Sequence, residues 1–348
     1  MRSLLRVGLM GYGFAGKTFH APVIAHCDRA TVAAIATSQT EQARADFPAA
    51  LIVPDFAALL ARQDLDCIVI ATPNHTHFDL AHQALSAGKN VVVDKPVTLN
   101  AQQARILADL AKQQGRVFAP FHNRRWDGDF MTVRALIDSG KLGRITHMES
   151  HFDRFRPTVP VRWREEAEFG GGLLLDLGPH LIDQALALFG MPETVNATIK
   201  LYRDYAHVND YVHLQLGYPD KQVVLHASTL CAIVPQRFVL HGTHGSYLMT
   251  GLDTQEDQLK AGLRPGAVGF GKNPPGQLRV VDVDAGITID TVTDYPTLDG
   301  AYADYYRSLA ASILDGTPFP VSAEDAVKVM SIIDLAQQSD AEGRRITL

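Results

Sequence analysis

Short apolar runs alternate with segments of helical period through the first third of the chain, a pattern that predicts a parallel sheet flanked by helices. Buried strands are expected over 4–10, 31–36, 67–71, 90–93 and 117–120. Helices are expected over 17–27, 54–62, 78–87 and 100–114, the third of them stopped by Gly88. From Phe121 the pattern changes. The polar and aromatic stretch Phe121-His122-Asn123-Arg124-Arg125-Trp126-Asp127 leads into a helix over 129–139 that stops at Gly140. Apolar and polar residues then alternate with period two over 145–155, 195–202, 211–217, 222–231, 237–240 and 246–249, which predicts half-buried strands of an antiparallel sheet. A helical segment over 170–190 is inserted between the first two of these strands. Residues 262–276, rich in Gly and Pro, read as a loop, and helices over 300–314 and 323–338 close the chain. The expected fold is α/β: a doubly wound parallel sheet over 1–122, then an α+β domain over 123–348 built on a large, mostly antiparallel open sheet.

The first strand is followed by Gly11-Tyr12-Gly13-Phe14-Ala15-Gly16 and then a helix and a second strand, all within about thirty residues. In this order each glycine has a physical task. Gly11 allows the tight turn, Gly13 removes a side chain where a pyrophosphate must approach, and Gly16 lets helix and strand pack closely. The helix N-terminus, with Phe14 and Ala15 beside it, offers N–H groups and a positive dipole end to the phosphates. The stretch therefore predicts a Rossmann-type dinucleotide site. After the second strand the chain reads Ala36-Thr37-Ser38-Gln39-Thr40, with no carboxylate until Glu41. Thr37 and Ser38 leave room for a 2′-phosphate and can donate to it, so NADP is favoured over NAD. Arg44 and Lys17 are the nearest cations.

Ligands of doubly wound sheets bind beyond the carboxyl ends of the strands. Thr72-Pro73-Asn74-His75-Thr76-His77 and Asp94-Lys95-Pro96 fall there, and Lys95, between a buried strand and a proline, is expected to be an oriented, partly desolvated amine. In the second half, Gly170-Gly171-Gly172 opens a segment in which Leu177, Leu181, Ala185 and Leu188 form an apolar face. Asp176 and His180, four apart, are expected to stack on a second face as a carboxylate–imidazole pair. Pro179 predicts a kink there or a helix that begins nearby.

With 348 residues, 46% of them hydrophobic, the chain can build two cores. The net charge of −6 and the lack of a long basic run argue against nucleic acid or an anionic membrane as partner. No apolar run reaches membrane-spanning length, and the N-terminal residues are too few for a signal peptide. The three cysteines, Cys27, Cys67 and Cys231, are widely spaced and read as reduced thiols, so a cytoplasmic location is expected. Period two also places His147, Glu149 and His151 on one strand face, where zinc is conceivable. A polar or substrate-facing surface is expected instead, and no metal is assigned.

Taken together, these motifs resemble the glucose–fructose oxidoreductase and inositol dehydrogenase (Gfo/Idh/MocA) family of NAD(P)-dependent sugar and polyol dehydrogenases. Gly11 to Gly16, Thr72-Pro73-Asn74 with His77, Lys95-Pro96, Asn123-Arg124-Arg125, Trp163-Arg164, and Gly170 to Asp183 carry the resemblance. It is nearest to the NADP-dependent scyllo-inositol dehydrogenase branch, through the stretch from Gly13 to Pro22 and through His151-Phe152-Asp153-Arg154-Phe155-Arg156-Pro157. Asp94 stands where the family more often has Glu. The resemblance implies Lys95, Asp176 and His180 as catalytic residues. It implies Thr72, Pro73, Asn74, His77, Pro96, Asn123, Trp163 and Arg164 at the cofactor, and Asn123, Arg125 and Arg154 at a polyol or sugar substrate. It also implies a homodimer or homotetramer formed through the C-terminal sheet. Two other readings stay open: a dinucleotide-binding ligand sensor without chemistry, and an enzyme that cycles hydride on tightly held NAD.

Overall fold

The computed structural model describes residues 4–281 and 292–348. Two compact units emerge. The first takes Met1–Asn123 with Gln255–Phe270 and Ala301–Met330; the second takes Arg124–Thr254, Gly271–Gly300 and Ser331–Leu348.

In the first unit the strands β1 (Leu5–Met10), β2 (Ala30–Ala36), β3 (Leu51–Val53), β4 (Cys67–Ile70), β5 (Asn90–Val93) and β6 (Phe118–Pro120) form a parallel sheet in the order β3-β2-β1-β4-β5-β6. Every residue of β4 and β5 is buried. That is why both read as unbroken apolar runs: helices cover both faces of a parallel sheet. These helices are α1 (Ala21–Ala25), α2 (Thr40–Asp46), α3 (Phe56–Leu60), α4 (His77–Ser86) and α5 (Ala101–Gln114). Chain order reverses direction between β1 and β4, where such sheets open a ligand crevice.

The expected single helix over 17–27 is corrected: a π-helical turn over Gly16–His20 runs into α1. Pro22 has no N–H to return to the preceding turn, and Ala21 donates to Gly16 O, five residues back. Neither α2 nor β3 was expected. Only Ala43 of α2 is buried, so its sequence carries no apolar period.

The second unit contributes α6 (Gly128–Asp138), β7 (Ile145–His151), α7 (Leu173–Asp176), α8 (Gly178–Phe189), β8 (Thr194–Lys200), β9 (Tyr211–Gly217), β10 (Gln222–Ser228), β11 (Gln236–Gly242) and β12 (Gly245–Thr250). Beyond them come α9 (Gln255–Lys260), which belongs to the first unit, β13 (Gly276–Val280) and β14 (Thr293–Tyr295). The chain closes with α10 (Ala303–Asp315), α11 (Ala323–Glu342) and β15 (Ile346–Thr347). Among the described residues the second sheet has nine strands, β14-β13-β12-β11-β7-β10-β9-β8-β15. It is mixed: β7 and β10 pair in parallel, while its other pairings are antiparallel. The strand expected over 145–155 stops at His151, and beyond it only Phe155 makes an isolated bridge, to Leu230.

α7 and α8 cover one face of this sheet, against β9 and β10. Under it Arg237 is 1% exposed, donates to Ser150 Oγ and Gln184 Oε1 at 2.6 Å each, and lies 3.3 Å from Asp129 Oδ2. Asp127 and Asp253 are buried in the same region, and burial pushes the Asp127 carboxyl well above the carboxylate range. Cys27, Cys67 and Cys231 are all free thiols. No helix among the described residues is long and apolar enough to cross a membrane.

Candidate active site

The glycine turn follows β1 at the crevice. Gly11 has φ +97°, and a Cβ on it would stand 2.6 Å from the Ala71 carbonyl oxygen. Its N–H donates to Ala36 O at 3.0 Å, tying the turn to the end of β2. A Cβ on Gly16 would meet the Gly11 carbonyl oxygen at 2.2 Å, so no side chain fits. Gly13 is different. It is exposed, and a Cβ there would find no atom within 4 Å. The helix starts directly after it, at Phe14 and Ala15, with Phe14 exposed and edge-on to Phe19. Tight glycines on either side of an open one, at a helix N-terminus, fit a pyrophosphate.

This geometry makes a two-sided prediction. Gly13→Val should weaken dinucleotide affinity by about ten-fold or more, while stability changes by no more than about 0.5 kcal/mol, as at other open surface positions. Gly16→Val should fail to fold. Fluorescence titration with NADPH and urea unfolding read the two effects, and unchanged affinity in Gly13→Val would remove the phosphate reading.

At the end of β2, Thr37 Oγ1 accepts the Gln39 N–H at 3.0 Å, and Ser38 is exposed. Arg44 is exposed on α2, whereas the Lys17 ammonium lies 3.9 Å from Asp46, which also accepts from Tyr12 Oη at 2.9 Å. Beyond β4 a 3-10 turn over Asn74–Thr76 leads into α4. Thr72 and Thr76 hydroxyls meet at 2.6 Å, and Thr76 donates to Pro73 O at 2.8 Å.

His77 is wholly buried, so it does not present its ring to a ligand as expected of a cofactor contact. Nδ1 lies 2.7 Å from Pro96 O and Nε2 2.9 Å from Thr72 O. Burial lowers its pKa and favours the neutral ring, which has one N–H to give. The ring stands between the loops after β4 and β5 and, when neutral, donates to the carbonyl of one of them.

Lys95 follows β5 and is half-buried, and its backbone N–H donates to Asp94 Oδ1 at 2.7 Å. Burial opposes ionisation of Asp94, but the imidazole of His20, the ammonium of Lys95 and His77 outweigh it and hold the carboxyl at about 2. His20 is itself buried, with Nε2 3.9 Å from Asp94 Oδ2, Nδ1 2.6 Å from Tyr306 Oη, and its ring centroid 4.0 Å from that of Phe121. The sequence reading passed over His20 and Tyr306 as site residues. The one available signal was a histidine one turn into the helix after the glycines.

In the second unit, a 3-10 turn over Trp163–Glu165 precedes the glycine run. Gly172, at φ +102°, passes so close to Asn209 that a Cβ would stand 2.6 Å from its Nδ2. Asn209 in turn accepts the Leu173 and Leu174 N–H groups at 2.8 Å each and so caps α7. Asp176 ends α7 and His180 lies in the first turn of α8, with Leu177 breaking the helix between them and Pro179 at the new start. The pair thus falls on two successive helices rather than one, and the helix start expected near Pro179 is found.

Asp176 is half-buried, with Arg164 Nε 3.8 Å away, and the Arg164 guanidinium lies 4.5 Å over Trp163. His180 is 5% exposed and nearly parallel to Phe152. The guanidinium of Arg154 lies over Phe152 at 4.9 Å. Arg125 is held two-pronged by Asp183, through Nε at 2.9 Å and Nη2 at 2.6 Å. Asn123 is buried and opens a 3-10 turn over Asn123–Trp126. Lys95 and Asn123 belong to the first unit, Asp176 and His180 to the second.

Profiles of one family match both parts: an oxidoreductase-family NAD-binding Rossmann fold over residues 5–122, and the family's C-terminal alpha/beta domain over 134–348. The chain belongs to the Gfo/Idh/MocA oxidoreductase family. Among its relatives, the uncharacterized oxidoreductase YdgJ of Escherichia coli is 44% identical, over 97% of each chain. The scyllo-inositol 2-dehydrogenase (NADP(+)) IolW of Bacillus subtilis is 36% identical, over 99% of this chain and 96% of that one. A crystal structure of an oxidoreductase from Bacillus cereus superposes with a TM-score of 0.90 at 30% identity, covering 99% of this chain and 98% of the other. Like other Gfo/Idh/MocA proteins, this one is an oxidoreductase with an NAD-binding Rossmann domain.

Proposed function

We propose that the protein is an NADP-dependent dehydrogenase that transfers hydride at a CH–OH carbon of a cyclic polyol or sugar. The observation that carries this is Lys95 at the carboxyl end of β5, on the same edge of the sheet as the glycine turn after β1. When bound, the nicotinamide supplies the hydride acceptor. Lys95 donates to the substrate oxygen and stabilises its developing charge. His180 takes the hydroxyl proton, and Asp176 favours the charged imidazole. Asn123, Arg125 and Arg154 orient substrate hydroxyls, with Arg125 fixed for that task by Asp183. Trp163 and Arg164 serve the cofactor.

NADP is favoured by the exposed Ser38, by Arg44 on the following helix, and by the absence of a carboxylate from Thr37 to Thr40; the scyllo-inositol 2-dehydrogenase (NADP(+)) of B. subtilis points the same way. The protein works in the cytoplasm as a homodimer or homotetramer joined through the open face of the nine-stranded sheet. Incubation with NADP+ and a panel of inositols and aldoses should yield net NADPH with at least one of them, and more slowly with NAD+. No reduction across the panel would favour a sensor, and product without net reduction would favour internal hydride cycling; either result overturns the proposal.

A further inference from the structure

The face of the second sheet turned away from α7 and α8 gathers imidazoles. His147, Glu149 and His151 project from β7, and His226 from β10, opposite His151 in the parallel register. Asp153, two residues past β7, lies between the two rings: its Oδ2 is 3.3 Å from His151 Nδ1 and its Oδ1 is 2.8 Å from His226 Nδ1. We propose that His151, Asp153 and His226 form a binding site for a divalent transition-metal ion, zinc above all.

Geometry comes first. The three donor atoms lie within 4.8 Å of one another. Zinc–ligand bonds of about 2.0–2.2 Å hold tetrahedral donors about 3.4 Å apart. The His226–Asp153 contact has to open by about 0.6 Å to reach that spacing, and the His151 contact, to the other oxygen of Asp153, is already close to it.

The second argument is the outer shell. His151 Nε2 lies 2.9 Å from Glu149 Oε2, and Glu149 Oε1 lies 2.9 Å from His147 Nε2. Binding an ion would displace the proton that Nδ1 shares with Asp153, while Glu149 keeps the other ring nitrogen as N–H and fixes the ring plane. Metal-bound histidines are oriented in this way. Glu149 is thus support rather than ligand, and the triple His147, Glu149, His151 suggested by strand spacing is displaced by one step.

Two imidazole nitrogens and a carboxylate suit zinc better than magnesium or calcium. The donors are also sheltered without being sealed, with Asp153 buried and the two histidines half-buried.

The test uses the full chain, stripped with chelator and titrated with Zn2+ alone by calorimetry, and with Co2+ alone by visible absorption. One equivalent per chain and a tetrahedral Co2+ spectrum are expected. Asp153→Asn and His226→Gln should abolish both, and Glu149→Gln should weaken binding by about 10–100-fold, as loss of an outer-shell partner does. His82→Gln, an exposed histidine on α4, should change nothing. Thermal melts confirm that each variant folds. No binding to the parent chain, or equal binding in Asp153→Asn, would overturn the site. Either result would leave the hydride-transfer reading untouched, because none of these residues takes part in it.

Discussion

Replacing His180 by alanine is expected to lower turnover by about 10²–10⁴-fold while NADPH affinity stays nearly constant. The magnitude is that of a positioned general base, and imidazole is the side chain whose ordinary range lies nearest neutrality. Position is what this structure supplies. His180 sits in the first turn of α8, nearly buried and aligned on Phe152, so its ring is held by packing rather than left to find its place. His180→Asn, which keeps a polar side chain without a titrating ring, should be nearly as slow. Cofactor affinity is the control, since the glycine turn belongs to the other unit. Steady-state kinetics with the best substrate of the panel, beside fluorescence titration, make the measurement. Undiminished turnover would take His180 out of the chemistry. A parallel loss of affinity would mean that the substitution acts on the cofactor instead.

What could be read from the sequence divides along physical lines. The glycine turn was legible because its demands are local: a positive φ at Gly11, no room at Gly16 and open space at Gly13 fall within six residues. The central strands were legible because a parallel sheet covered on both faces buries β4 and β5 without interruption. The place of Lys95 just beyond β5 was legible because strand and proline bracket it. Features that depend on distant partners were not legible. His20 meets Tyr306, 286 residues away, and only that meeting reveals the buried polar cluster around Asp94. Asp153 meets His226, 73 residues on, through the parallel pairing of β7 and β10, which alternation alone cannot tell from an antiparallel one. β14 and β15 are too short to establish a period. The break at Leu177 shows the limit of spacing arguments, because they assume that one helix spans both residues.

Arg237 is expected to be worth about 3–5 kcal/mol of stability, the scale on which removing one partner of a buried ion pair is felt. Its guanidinium serves Ser150, Gln184 and Asp129 at once, buried under the sheet. Arg237→Met keeps most of the stem and removes the charge, so the loss in urea unfolding reports electrostatics and hydrogen bonding more than packing. The pH dependence identifies the partner. Burial raises the Asp129 carboxyl, and it settles at about 6 because Arg237, the strongest opposing charge, holds it down. Without Arg237 the folded-state pKa must rise further above the ordinary value near 3.8. A carboxyl raised on folding binds its proton more tightly folded than unfolded, so stability falls as pH rises from the unfolded pKa to the folded one. The cost of Arg237→Met should therefore be larger at pH 8 than at pH 5, where Asp129 can take up a proton rather than stay an unmatched anion. Adding Asp129→Asn should recover part of the loss at pH 8 and little of it at pH 5. A cost below about 1 kcal/mol, the range of exposed pairs, would mean that this cluster is not the electrostatic anchor of the second unit. A cost independent of pH would instead shift the role of Arg237 to its hydrogen bonds with Ser150 and Gln184.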